Sequence, residues 1–291
     1  MKSLLLLSIP IALLLAFGGV VLFWAGISQI RFLSYFKGED HCPPPLGFAG
    51  WVAFYRRTLS GAYSLLWWSF RAAFHTGLRQ PSRATSGRPV LCIHGLFLNS
   101  TCMWGIRRRL EQEGRPTRAV FMGVPLPTPM SYATPLIRVM RELAEQFPDQ
   151  GFDIAAHSIG GVMIREVLRR HPELADNVHR VVTLGSPHHG TAVVRWIRFG
   201  PVYKMLARNS KYLQELGNLH ELAPRSVTTT VATLHDLVVY PTETCHLEGS
   251  RQVTLDRISH LGLMTEERSI DEVEKALATS PGPVGQGPIL G

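Results

Sequence analysis

A serine, an aspartate and a histidine, widely separated along the chain, have the types and the order needed to turn an alcohol into a nucleophile. The serine is Ser158, within Ala156-His157-Ser158-Ile159-Gly160-Gly161. The residues before it, Gly151 to Ala155, read as a short apolar strand, and Val162, Ile164, Val167 and Leu168 recur at helical spacing after it. Ser158 therefore falls on a strand-to-helix turn. Small residues two before and two after a serine allow the tight turn of a nucleophile elbow, G-x-S-x-G. Here they are Ala156 and Gly160, so alanine replaces the first glycine.

An activated serine needs a general base and an acid to orient it, and on this kind of scaffold they follow in the order acid, then histidine. Asp236 comes after the β-prone run Thr228 to Thr233, and His260 comes in a loop after the β-prone run Gln252 to Leu255. They are favoured over Glu243 and Asp256 as the acid, and over His188, His189, His220, His235 and His246 as the base. His260 would take the Ser158 proton on one ring nitrogen while Asp236 holds the other protonated. Oxyanion stabilisation needs backbone N–H donors. One would be Ile159, and the other Leu96, or its neighbour Phe97, in the loop His94-Gly95-Leu96-Phe97 after the apolar run Val90 to Ile93.

These strings, with Thr183-Leu184-Gly185-Ser186-Pro187-His188-His189-Gly190-Thr191, resemble the α/β-hydrolase-fold lipases and esterases, above all the bacterial triacylglycerol lipases whose elbow begins with alanine. The resemblance spans residues 86 to 278. It implies Ser158 as nucleophile, Asp236 as acid, His260 as base, and Leu96 and Ile159 as oxyanion donors. It further implies a mobile cap near 191–222, a lipid or acyl-ester substrate, and neither organic cofactor nor catalytic metal. The same serine would equally serve an acyltransferase or a lipid amidase, and a non-catalytic membrane scaffold could retain the fold.

Strand-like runs near 89–93, 118–122, 152–156, 179–184, 227–233 and 252–255 alternate with helical patterns, including Ala133 to Phe147 and Ser269 to Ala278. That alternation predicts an α/β fold, a mostly parallel sheet covered on both faces. In such sheets ligands bind beyond the carboxyl ends of the strands, where all three side chains fall. Cys42, Cys92, Cys102 and Cys245 have no C-x-x-C spacing, and the adjacent His188 and His189 are poorly spaced to share one ion. Cys245 lacks an elbow and is not favoured as a thiol nucleophile.

Four regions are expected: an anchor over 1–36, an aromatic interfacial or linker segment over 37–85, the hydrolase domain over 86–279, and a disordered tail rich in proline and glycine over 280–291. From Ser3 to Ile30 there is no charged residue. As a helix this stretch would extend roughly 40 Å, enough to span about 30 Å of hydrocarbon and too long for a cleaved signal peptide. A single-pass membrane anchor is expected. Lys2 and the amino terminus at one end balance Arg31 and Lys37 at the other, so the side on which the domain lies is left open. The segment from Trp51 to Phe70 reads either as a helix in the membrane interface or as one packed on the hydrolase core. The net charge of +8 is assigned to lipid headgroups, with no nucleic-acid partner expected. Arg195, Arg198, Lys204, Arg208 and Lys211 interleave with apolar residues in the cap, which suits either an anionic lipid surface or a solvated helix with its apolar face on the core.

Overall fold

The computed structural model describes residues 46–72, 87–123, 129–195, 204–278 and 286–290. The chain enters as a long helix, α1 (Phe48–Ala72), and then alternates strand and helix. Strands β1 (Val90–Ile93), β2 (Thr117–Val120), β3 (Phe152–His157), β4 (Val178–Leu184), β5 (Val227–Thr233), β6 (Arg251–Leu255) and β7 (Gln286–Leu290) form one sheet in the order β2-β1-β3-β4-β5-β6-β7. Every neighbouring pair is parallel.

The two faces follow from the pleat. Successive strand residues point to opposite sides, so Leu91 and Ile93 join one core cluster while Val90 and Cys92 join the other. The first face is covered by α3 (Pro129–Gln146) and α4 (Ile159–Arg170), the second by α2 (Trp104–Gln112) and α7 (Glu267–Ala278). Strand β3 is buried along its whole length. That double burial is why Phe152, Ile154, Ala155 and Ala156 do not alternate with polar residues; the one charged exception, Asp153, is paired with Arg115.

The cap region departs from a lipid-facing basic helix. Its described part carries short helices, α5 (Lys211–Glu215) and α6 (Leu219–Leu222). Met205, Leu206, Leu213, Leu216 and Leu219 turn inward onto the first core face. Lys204 and Lys211 are exposed, and Lys211 lies 3.6 Å from Glu215. The apolar-face-on-core reading therefore holds for these residues. Arg198 lies outside the described residues.

One further expectation is corrected. Residues Gln286–Leu290, placed in a disordered tail, pair with β6 as an edge strand. Helix α1, read either as an interfacial helix or as one packed on the hydrolase core, does pack on the core: Phe54, Ala62 and Leu65 are buried, and Leu65 joins the second core cluster with Cys102 and Met103. Among the described residues no helix is long and apolar enough to cross a membrane, and the Ser3–Ile30 segment lies outside them.

Candidate active site

Ser158 is the last residue before α4 and adopts φ 55°, ψ −127°, a conformation costly for any residue with a side chain. The surroundings enforce it. Its N–H donates to the Leu184 carbonyl at 2.8 Å, extending the β3–β4 ladder by one bond, and its own carbonyl accepts from Gly161 at 3.2 Å to begin the helix. A side chain at Gly160 would lie 2.9 Å from the Ile93 methyl and 3.1 Å from the His94 carbonyl, so helix and strand pass too closely for anything but glycine there. Ala156 sits within β3, with its methyl in the first core cluster. The alanine-for-glycine exchange is absorbed by the sheet rather than by the turn.

Asp236 follows β5 at a sharp corner and is held at both oxygens. Its Oδ1 accepts the N–H groups of Val238 and Val239, both at 2.8 Å, and its Oδ2 lies 2.7 Å from His260 Nδ1. An ionised carboxylate only accepts, so Nδ1 carries the proton and Nε2 presents a lone pair. The loop bearing His260 is tied to the sheet by Thr233 Oγ1 donating to the Ile258 carbonyl at 2.7 Å, and is folded on itself by Gly262 N–H donating to Ser259 Oγ at 3.1 Å. Ser158, Asp236 and His260 are all buried at the carboxyl ends of their strands. Among the described residues Ser158 Oγ has no hydrogen-bond partner, so the aspartate–histidine link is closed and the serine–histidine link is open. Serine-to-base contacts commonly tighten only when substrate binds.

Gly185 shows how close the parts stand. A side chain on it would lie 3.1 Å from His260 Nδ1 and 3.2 Å from Asp236 Oδ2. The preceding residue, Leu184, accepts the Ser158 N–H. One peptide unit thus separates the serine backbone from the aspartate–histidine pair.

Sequence reasoning gave no role to two histidines that the structure places at the centre. His94 Nε2 accepts the Met122 N–H at 3.1 Å, so its Nδ1 is the protonated nitrogen and donates to the Gly95 carbonyl at 2.7 Å. Gly95 O also accepts the Leu98 N–H at 3.3 Å. The Gly95–Leu96 peptide is held by its oxygen, and in a trans peptide the Leu96 N–H then points the opposite way. Phe97 takes the next position of this turn with φ 59°. His157 Nε2 donates to the His260 carbonyl at 3.0 Å, and the two rings are 4.6 Å apart. Its bare Nδ1 lies beneath Gly95, 2.8 Å from where a side chain there would begin. His157 therefore underpins the base loop and the Gly95 loop together. Burial, followed by the neighbouring His260, holds its pKa well below the ordinary histidine value. Both histidines flank residues singled out by sequence, but only their three-dimensional partners assign them work.

The competing residues are engaged elsewhere. Asp256 lies 3.1 Å from His235 Nδ1, and His246 bonds the hydroxyls of Thr230 and Thr254. His188 bonds Thr183, and His220 the Glu248 carbonyl. Cys245 is buried, and burial pushes its pKa well above the ordinary thiol value, so it stays an unreactive thiol. Among the described residues no group of histidine, cysteine and carboxylate side chains has the geometry of a metal site.

A parallel sheet with a serine elbow at its centre and an aspartate–histidine pair beside it is the α/β-hydrolase arrangement. The family model of palmitoyl protein thioesterases matches residues 89–235, half of the chain, and the chain belongs to that family. The match holds the Gly95 loop and the elbow and ends one residue before Asp236. The resemblance to α/β-hydrolase lipases and esterases read from the sequence is thereby supported. Among solved structures, the mature lipase BlEst2 of Bacillus licheniformis is similar at 14% identity and TM-score 0.58, over 69% of this chain and 97% of that one. Aspergillus fumigatus lipase B is similar at 14% identity and TM-score 0.60, over 72% of this chain and 57% of that one. At such identity the likeness is one of fold. No curated protein sequence matches. Family and fold together make the chain a hydrolase of ester bonds.

Proposed function

We propose that the chain is a membrane-anchored serine hydrolase that cleaves acyl esters or thioesters of lipids through an acyl-enzyme on Ser158. The observation that carries this reading is the 2.7 Å bond from His260 Nδ1 to Asp236, which leaves Nε2 as the base beside the strained elbow. Ser158 Oγ attacks the acyl carbon as His260 Nε2 takes its proton. The oxyanion that forms is met by the N–H groups of Ile159, in the first turn of α4, and Leu96, on the peptide that His94 orients. Collapse expels the alcohol or thiol, which His260 protonates. Water then repeats the sequence on the acyl-enzyme and releases the acid. The thioester alternative comes from the family, the lipid character from the lipases that share the fold, and the anchor from the uncharged Ser3–Ile30 segment.

Ser158→Ala should lower kcat for p-nitrophenyl esters by roughly 10⁵-fold or more, with an unchanged circular dichroism spectrum and no labelling by a fluorophosphonate probe. Turnover equal to that of the unaltered chain would remove Ser158 from the chemistry. Paired acyl-oxygen and acyl-thioester substrates of one chain length then decide which leaving atom the enzyme prefers.

A further inference from the structure

Helix α1 has two faces. Phe54, Gly61, Ala62 and Leu65 point inward: Phe54 lies 5.9 Å from the His235 ring, next to Asp236, and Gly61 passes close to Thr265. Val52, Arg56, Leu59, Tyr63 and Trp67 recur at intervals of three and four and so share the opposite face. Val52, Arg56 and Trp67 are exposed, and Leu59 and Tyr63 are partly exposed. Val52 is 52% exposed and Trp67 58%, and Arg56, Leu59, Tyr63 and Trp67 line an open groove of about 550 Å³. The two arginines divide accordingly, Arg57 lying 3.9 Å from Glu266 while Arg56 is exposed on the outer stripe.

We propose that this outer stripe of α1 lies in the headgroup layer of a phospholipid bilayer, with anionic lipid at Arg56, and so holds the catalytic rim beside the lipid surface. This rests on reading Ser158 as the nucleophile and Ser3–Ile30 as the anchor. A bilayer is the occupant because of where the preceding chain enters. Forty-five residues precede Leu46, including that uncharged segment. Only the short stretch from Arg31 to Leu46 links it to α1, a reach of about 50 Å even when fully extended. The helix starts at the catalytic rim, with Trp51 6.4 Å from His235. A membrane holding the amino terminus is therefore within reach of α1. Tryptophan and tyrosine beside a single arginine have the chemistry of the interface, an apolar body with a polar or charged tip. The rim itself continues the apolar character: Phe97, Phe121 and Val238 are 68%, 53% and 45% exposed at the carboxyl ends of β1, β2 and β5. The opposite end of the sheet is charged, with Arg88, Glu113, Arg115, Asp153 and Arg180 around one cavity.

The full chain is reconstituted in phosphatidylcholine vesicles with and without phosphatidylglycerol, some carrying brominated acyl chains. Trp67→Phe should remove part of the tryptophan fluorescence that bromine quenches, with the quenched part larger in anionic vesicles. Leu59→Glu with Trp67→Glu should lower hydrolysis of a vesicle-borne long-chain ester about tenfold and leave turnover of soluble p-nitrophenyl butyrate within about twofold. Equal quenching with and without Trp67, or equal losses on both substrates, would overturn the proposal. So would a dimer in solution that the double variant dissociates, because a second copy would then occupy the stripe. Quenching needs no turnover, so an inactive but quenched protein would strike the hydrolase reading alone.

Discussion

Asp236 does two jobs with two oxygens, and that division makes the aspartate–histidine pair testable. Oδ1 is committed to the Val238 and Val239 N–H groups, and Oδ2 to His260. In Asp236→Asn the amide oxygen is drawn to the two backbone donors, which turns the NH₂ toward His260 Nδ1. That nitrogen must then accept, the proton moves to Nε2, and the ring can no longer take the Ser158 proton. The opposite amide orientation would set an NH₂ against two N–H donors. A loss of about 10⁴-fold in kcat is expected, measured on p-nitrophenyl esters with the fold verified by circular dichroism. A loss below about tenfold would mean that Asp236 only shapes its corner. Two glycines confine the same machinery. Gly185, at φ +56°, faces the aspartate–histidine pair, and a side chain at Gly95 would begin 3.0 Å from the Ser158 Cβ.

The strands and the elbow were legible in the sequence because each is dictated locally. β3 is mostly apolar and buried on both sides, and the glycine two residues after Ser158 is required by the close pass of helix and strand. The pairing of Asp236 with His260 was legible from their order and from their positions after β-prone runs. Parts whose purpose depends on distant partners were not. His94 is defined by Met122 and Gly95, His157 by the carbonyl of His260, and β7 by pairing with β6. Arg165 is the sharpest case, since a basic residue on a helix reads as solvated. It is instead 2% exposed and donates to the carbonyls of His188 and Gly217 at 2.7 Å and of Leu213 at 3.1 Å. Burial lowers its pKa to about 10, which leaves it protonated at neutral pH. It joins α4, the helix that follows Ser158, to the turn after β4 and to the segment around Leu213 and Gly217. Arg165→Ala strands three carbonyls and should cost about 2–4 kcal/mol, read from denaturant titration. Hydrogen exchange should rise in residues 204–222 before it rises in the sheet. Unchanged protection there would mean that the cap stands without this strut. Arg165→Lys, with one compact head in place of a planar fork, should restore only part of the loss.

Across the molecule, histidines held neutral make folding sensitive to acid. Burial is the leading cause in His157, His188 and His246, and it lowers the first two well below the ordinary value and the third to about 4. Unfolded histidines titrate near 6.5, so between these values the unfolded chain binds more protons and stability rises with pH. The contribution is complete above about pH 6.5 and drains away as pH falls, the His246 share being spent by about pH 4. That share alone approaches roughly 3 kcal/mol. Glu113 works the other way, because partial desolvation and its bond to Glu274 raise its carboxyl to about 7 and so cost stability as pH rises from the ordinary carboxylate range. Glu113 is exposed at the surface, where solvent screens the effect, so the buried histidines should win. Guanidinium titrations should therefore give a lower midpoint at pH 5 than at pH 7. His246→Gln, which can still engage one threonine hydroxyl but cannot take up a proton, should make that dependence shallower. Equal midpoints at both pH values would show that these rings gain a proton as readily in the folded protein as in the open chain, which their burial forbids.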